Sequence, residues 1–462
     1  DVPVQPRIIP TDYVEHSATP PLVLPKLATN DINYLLLGFD LSGLPEHLWE
    51  YVSLFSVLLT EMGTRRHDYI QMSERIAENT GGLYAQTFVG TSALSVDEPL
   101  TYLSIGTKTL NHTFVPTLDI LRELLYELDF SDRQHLRDVL NQTRERTISH
   151  IIPGGHRFAA RHAARGFSFP AAVSELFSGM PQVRLIDGLV RNFEREADQL
   201  EVCLSEIRNF LLQNARLKAS FTGADKEKAT VQEWLGSLNL NTGDGAAGNA
   251  CRAPFADAGR TGLHEGLAME ADVAYCATVL PAPHVSDPRS VELQVLSHLM
   301  SFDYMWEEIR AKGGAYGGMC NYNSSQGTLG LLSYRDPHIE RTLNVYAGLR
   351  DYIRNHAWSK EDIERAIIGC ARDQEKPVRP AWATSAALWR HLSGWTEDMR
   401  RERREMLLGV TPEKVKKVAT QVLESGWEQA NTCVLASREK IERETQALGT
   451  SFDIRPVVPV QD

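Results

Sequence analysis

The sequence lacks most of the features that announce metal, nucleic-acid or membrane proteins. Its six cysteines, Cys203, Cys251, Cys276, Cys320, Cys370 and Cys433, stand singly with no CxxC pair. That pattern excludes a zinc ribbon and a disulfide-rich framework and points to a reducing compartment. No apolar run approaches the roughly 18 residues that a membrane helix needs, and the longest candidate, Tyr51 to Leu59, soon meets Glu61 and Arg65. No membrane association is therefore expected. Basic residues are outnumbered 60 to 48, and the net charge of −12 excludes a nucleic-acid footprint and suits cationic partners.

Catalytic signatures are also missing. Fourteen histidines include no HExxH and no HxxEH, the two spacings that would set metal ligands on one helical face. His47-Leu48-Trp49-Glu50-Tyr51 comes nearest, with tyrosine where a second ligand should stand, and reads as an exposed polar face. His156 and His162, near Arg157, Arg161 and Arg165, read as a solvated basic face. There is no GxSxG elbow, no cysteine in a nucleophile context and no Walker loop.

What remains is an ordinary globular composition, 42% hydrophobic and 23% charged over 462 residues, long enough for two domains. Six prolines fall within the first 25 residues, so residues 1–29 read as an extended arm or linker remnant. Asp31-Ile32-Asn33-Tyr34 then opens a strand-like run, and Leu48, Tyr51, Val52, Phe55, Leu58, Leu59 and Met62 follow at helical spacing. A second helix stops at Thr80-Gly81-Gly82, and Leu83 to Val89 resumes as a strand. The same order returns 241 positions later at Asp272-Val273-Ala274-Tyr275. There Asp287-Pro288 starts a helix, a second helix stops at Lys312-Gly313-Gly314, and strands follow over Tyr316 to Tyr322 and Thr328 to Tyr334.

Each unit continues in helices and closes on a short strand, Leu217 to Thr222 and Thr432 to Leu435. The glycine-rich stretch from Asn241 to Gly248 cannot hold a core and marks the boundary. The expected organisation is an arm (1–29), a first domain (30–240), a linker (241–262), a second domain (263–450) and a tail (451–462). The expected fold class is α+β, with two homologous domains, each a mainly antiparallel sheet covered by helices.

One stretch invites a chemical reading, Ile309-Arg310-Ala311-Lys312-Gly313-Gly314-Ala315-Tyr316-Gly317-Gly318. Four glycines in six positions weaken a strand entrance, which suits close backbone approach by an extended peptide. Arg310 could donate to a peptide carbonyl or carboxylate and Tyr316 to a developing oxyanion. An ordinary ion pair between Glu307 and Arg310, with glycines fitted to a tight turn, accounts for the same residues.

From Asn30 to Leu435 the chain resembles the C-terminal half of the presequence proteases, within the pitrilysin/insulinase-type inverzincin metallopeptidases. The resemblance rests on IRAKGGAYGG (Ile309–Gly318), SYRDP (Ser333–Pro337), FSGMPQVRL (Phe177–Leu185) and the TGG at Thr80–Gly82. It implies four similar domains in two halves that close around a peptide chamber. Counted from Gly63-Thr64, the positions matching the family's zinc-binding histidines and glutamate are Leu54, Leu58 and Val57, all apolar. The implied Zn2+ then belongs to an N-terminal half, in the same polypeptide or a separate subunit, and this chain alone should be inactive.

The resemblance assigns Arg310 and Tyr316 to catalysis, and Arg310, Gly313, Gly314 and Tyr316 to substrate binding. It implies an endopeptidase acting on unstructured, basic peptides such as targeting presequences and on amyloid-type peptides. The implied location is the mitochondrial matrix or plastid stroma in a eukaryote, or the cytoplasm in a bacterium. The alternative is a non-catalytic scaffold or peptide-binding subunit of the same fold.

Overall fold

The first strands arise where the sequence suggested only an arm. In the computed structural model, which describes residues 2–16, 19–213, 217–238, 240 and 259–458, β1 (Thr11–His16) and β2 (Thr19–Pro25) pair antiparallel. The prolines that suggested an arm bracket a short stretch of full pairing. Only Leu22 and Val23, between Pro21 and Pro25, also pair with the strand on the far side, so no proline is asked for a missing ladder hydrogen bond.

The first sheet is completed by β3 (Ile32–Asp40), β4 (Leu83–Thr91), β5 (Pro99–Leu110) and β6 (Lys218–Thr222), in the order β1-β2-β6-β3-β5-β4. The second contains β7 (His264–Ala268), β8 (Tyr275–Pro281), β9 (Gly317–Asn323), β10 (Thr328–Tyr334), β11 (Asn431–Ala436) and β12 (Asp453–Pro456), in the order β12-β7-β11-β8-β10-β9. The stretch read as a tail thus supplies an edge strand. Both sheets are mostly antiparallel, with one parallel pair in the first (β2 with β6) and two in the second (β7 with β11 and with β12).

The two sheets repeat one register. Tyr34 lies opposite Thr222 and Gly38 opposite Lys218. In the second sheet Tyr275 lies opposite Leu435 and Val279 opposite Asn431. In each, the strand that follows the helix pair ends on the same edge, β4 in one sheet and β9 in the other. The chain is α+β, built twice on one plan. The stretch from Asn241 to Gly248, read as the boundary, lies outside the described residues.

Helices of each unit cross over to cover the sheet of the other. The helix Gly155–Ala164 lays Phe158, Ala159 and Ala163 against Tyr275, Ala277, Val279 and Leu435 of the second sheet, forming one buried cluster. Gly155 allows the close approach, because a Cβ there would stand 2.5 Å from the Tyr275 ring. In return the helix Pro380–Ser393 sets Leu388 against Val23 and Leu36 of the first sheet. There the hydroxyls of Thr222 and Thr384 lie 2.6 Å apart.

Charge is buried at the first of these crossings. Arg165 donates to both oxygens of Glu265 at 2.7 and 2.8 Å, and His162 Nδ1 lies 2.6 Å from Glu175 Oε1. Burial works against the Glu265 carboxylate, but hydrogen bonds from His162 and Arg165 outweigh it and hold its pKa down to about 2. This corrects the reading of His162 and Arg165 as a solvated face. They are neutralised by acids 13 and 100 positions away, a pairing that local sequence cannot display. Only Arg157 of that group is exposed, and His156 packs edge-on to Tyr334 at 4.9 Å.

Candidate functional site

The IRAKGGAYGG stretch begins as a π-helix over Trp306–Ala311. Its wider turn pairs the Lys312 amide with the Glu307 carbonyl, five residues back. That turn also changes the charge pairing. Lys312 Nζ, rather than Arg310, reaches Glu308 at 2.7 Å and Glu307 at 3.4 Å. Arg310 is exposed, and its guanidinium has no ion pair among the described residues, so the ordinary Glu307–Arg310 pair is not made.

The chain then leaves the helix through a glycine turn. A Cβ at Gly313 would stand 2.4 Å from the Ile309 carbonyl oxygen, and Gly314 holds φ at +76°, a left-handed conformation that side chains resist. The turn therefore needs both glycines whether or not a ligand binds. The Gly314 amide donates to the Arg310 carbonyl at 3.0 Å and the Ala315 amide to Ile309 at 3.1 Å.

Tyr316 follows, 68% exposed, immediately before the edge strand β9. Its amide donates to the Arg335 carbonyl at 3.2 Å and its ring stands edge-on to Tyr334 at 5.7 Å. IRAKGGAYGG and SYRDP, distant in sequence, thus meet at one sheet edge. Within SYRDP, Asp336 is buried and accepts from the Thr342 hydroxyl at 2.7 Å and the His338 amide at 2.9 Å. Desolvation raises its pKa, and its role is to hold the turn behind Tyr316.

The first unit offers the matching corner without these side chains. Its helix Tyr69–Asn79 opens with a full capping box between Asp68 and Gln71 and closes at Thr80, and β4 starts at Leu83. Three residues bridge helix and strand there, Thr80–Gly82, against five in the second unit, Lys312–Tyr316. The second glycine of each pair has positive φ, +127° at Gly82 and +76° at Gly314. The two residues that the second unit adds are Ala315 and Tyr316.

The helix Val52–Glu61 carries Leu54, Val57 and Leu58. Leu54 and Leu58 are buried, whereas Val57 is half-buried. None offers a donor atom to a metal. His47 is exposed and sits 2.9 Å from Glu206. FSGMPQVRL bridges two helices across Gly179 and contributes Met180 and Val183 to the apolar contact between units.

Residues 1–189 match a family associated with subfamily C of the M16 peptidases, and residues 287–439 match the presequence protease (PreP) C-terminal domain. The chain is a C-terminal half of the M16 peptidase family. Presequence protease 1, chloroplastic/mitochondrial, of Arabidopsis thaliana is 26% identical over 98% of this chain and 42% of its own length. The mitochondrial presequence protease of Yarrowia lipolytica is 27% identical over 90% of the chain and 42% of its own length. The chain thus spans about two fifths of these relatives.

Among solved structures, the peptidase M16 inactive domain from Pseudomonas fluorescens shares the fold, with a TM-score of 0.63 at 11% identity over 97% of this chain and all of that one. The periplasmic protease PqqL from Escherichia coli gives 0.61 at 14% identity, covering 95% of this chain and 47% of that one. The metal that M16 peptidases suggest finds no donor atoms at Leu54, Val57 and Leu58. Among the described residues no three His, Cys, Asp or Glu side chains are grouped to hold an ion. No described helix is long and apolar enough to cross a membrane.

Proposed function

We propose that this chain is the assisting half of a zinc metalloendopeptidase that degrades unstructured peptides in a closed chamber. The observation that carries it is the second-unit corner, where Arg310, without an ion pair among the described residues, and an exposed Tyr316 flank an open sheet edge. An extended peptide can add to β9 through backbone hydrogen bonds that do not depend on its sequence. Tyr316 then donates its phenolic hydrogen to the carbonyl oxygen as negative charge develops on it, and Arg310 holds a neighbouring carbonyl in its planar fork. Gly313 and Gly314 keep the backbone close to the peptide. The metal and its ligands belong to the N-terminal half, in the same polypeptide or another subunit.

The acidic balance of the chain favours basic peptides, such as cleaved targeting presequences, with amyloid-type peptides as further substrates. The names of the presequence protease relatives support a mitochondrial or plastid location in a eukaryote, and a bacterial protein would act in the cytoplasm. The test is reconstitution. The chain alone should leave an unstructured basic peptide intact, and adding an HxxEH-bearing N-terminal half should restore cleavage read by mass spectrometry. A stable complex of the two halves that cuts no unstructured peptide overturns the reading in favour of a scaffold.

A further inference from the structure

A cavity of about 480 Å³ opens between helices of the first unit, on the helix whose family counterpart would carry the metal ligands. Leu54 and Val57 form part of its wall together with Phe158, and Arg157, Arg161 and His150 also line it. No aspartate or glutamate is among the lining residues, although the chain carries 60 acids against 48 bases. The two arginines stand one turn apart on the helix Gly155–Ala164. Arg161 is fixed, donating to the Ser178 carbonyl at 2.7 Å. Arg157 is exposed and has no hydrogen bond or ion pair from its side chain among the described residues, so its fork is available. His150 already uses Nδ1 on the Arg146 carbonyl at 2.7 Å.

We propose that this cavity binds an apolar carboxylate, and specifically the C-terminal residue of a peptide. Its volume lies within the range of small-molecule pockets and holds one or two residues. The apolar wall takes the last side chain, and Arg157 grips the terminal carboxylate with charge-assisted hydrogen bonds. Preference for an anion follows from the two guanidinium groups: Arg161 is balanced in part by Glu175 behind the wall, whereas no carboxylate lines the cavity to occupy Arg157. The choice of a peptide over a free fatty acid rests on the peptidase reading, since every cleavage creates a new terminal carboxylate. The site is then a place where product, or the tail of a substrate, is held away from the β9 edge.

The test is equilibrium binding to the full chain by calorimetry, with no cleavage involved, so it stands apart from the reconstitution experiment. The probes are an acetylated hexapeptide ending in leucine as the free acid, the same peptide as its amide, and octanoate. The free acid should bind, the amide about tenfold or more weakly, and Arg157→Ala should weaken the acid by a similar factor, the scale of a lost charged hydrogen bond. Val57→Phe, which fills the cavity from a half-buried position, should reduce binding of the acid while circular dichroism stays unchanged. Equal binding of acid and amide, or indifference to both substitutions, overturns the proposal. Binding of octanoate without the peptide acid overturns the peptide assignment.

Discussion

The two helix-to-strand corners share a frame and differ in what stands on it. Each ends a helix on paired glycines, the second with positive φ, and each delivers the chain to an edge strand. The first corner is entered from a capped α-helix and bridged by three residues. The second is entered from a π-helix with no side-chain cap and bridged by five. Duplication therefore explains the glycines, which a tight turn requires. It does not explain an Arg310 left out of the local ion pairs or the inserted Tyr316, and those two are the residues to which we assign chemistry.

The largest effect should come from breaking the buried ion pair between the two units that carry the corners. Removing the Glu265 side chain (Glu265→Ala) leaves Arg165 buried without that partner and should cost about 3–5 kcal/mol in a denaturant titration. Stability should also depend on pH, through this cluster and through a second one around Glu123 in the first unit. Glu265 and Glu123 are both held down to about 2, despite burial, by hydrogen bonds from His162 and Arg165 in one case and from His67, Thr64 and Arg75 in the other. Their contributions are complete above the ordinary carboxylate pKa of about 4.5 and disappear as the pH falls towards 2. His162 works oppositely. Burial lowers its pKa, yet its contacts with Glu175 and Glu265 raise it overall, so its contribution is complete below about pH 6.5 and is lost as the pH rises through the raised value. Unfolding midpoints across pH should therefore drop on the acid side, and less steeply in Glu265→Gln.

A smaller effect compares the corners directly. Gly82→Ala and Gly314→Ala should each destabilise the chain by about 1–2 kcal/mol, the penalty for a side chain at positive φ. In the complete enzyme only Gly314→Ala should also lower kcat. Equal loss of turnover from both would mean that the corners act alike. Smallest is the cap. Asp68→Ala should cost about 1 kcal/mol through loss of the capping box. Amides of residues 306–311, uncapped and π-wound, should exchange hydrogen faster than those of residues 69–79 in the unaltered chain.

Much of this plan was legible in the residues. Strand openings at Asp31 and Asp272, glycine stops and closing strands pointed to the duplicated α+β architecture, because period and punctuation are local signals. What the sequence hid depends on distant partners. The helix Gly155–Ala164 reads as small and basic, yet its alanines fit a close helix-to-sheet contact and the charges around His162 and Arg165 are paired from elsewhere in the chain. The prolines near the start masked β2, since they leave only two doubly paired positions. The helix Asp225–Ser237 and strand β7 likewise lack a clear local signal. The helix after Asp287-Pro288 begins at Ser290, because the Asp287 carboxylate is taken by Arg289. The π-turn at Trp306 has no sequence signal, and Lys312, not Arg310, is the residue that pairs with Glu307 there.

The central claim is that the second corner differs from the first because its added tyrosine acts in catalysis. The direct measurement is kcat for Tyr316→Phe in the complete enzyme. Loss of the hydroxyl should slow turnover by about 10²–10³-fold, about 2.7–4 kcal/mol in the barrier, with a much smaller change in KM. Unchanged peptide cleavage would contradict the assignment and leave the second corner with no more function than the first.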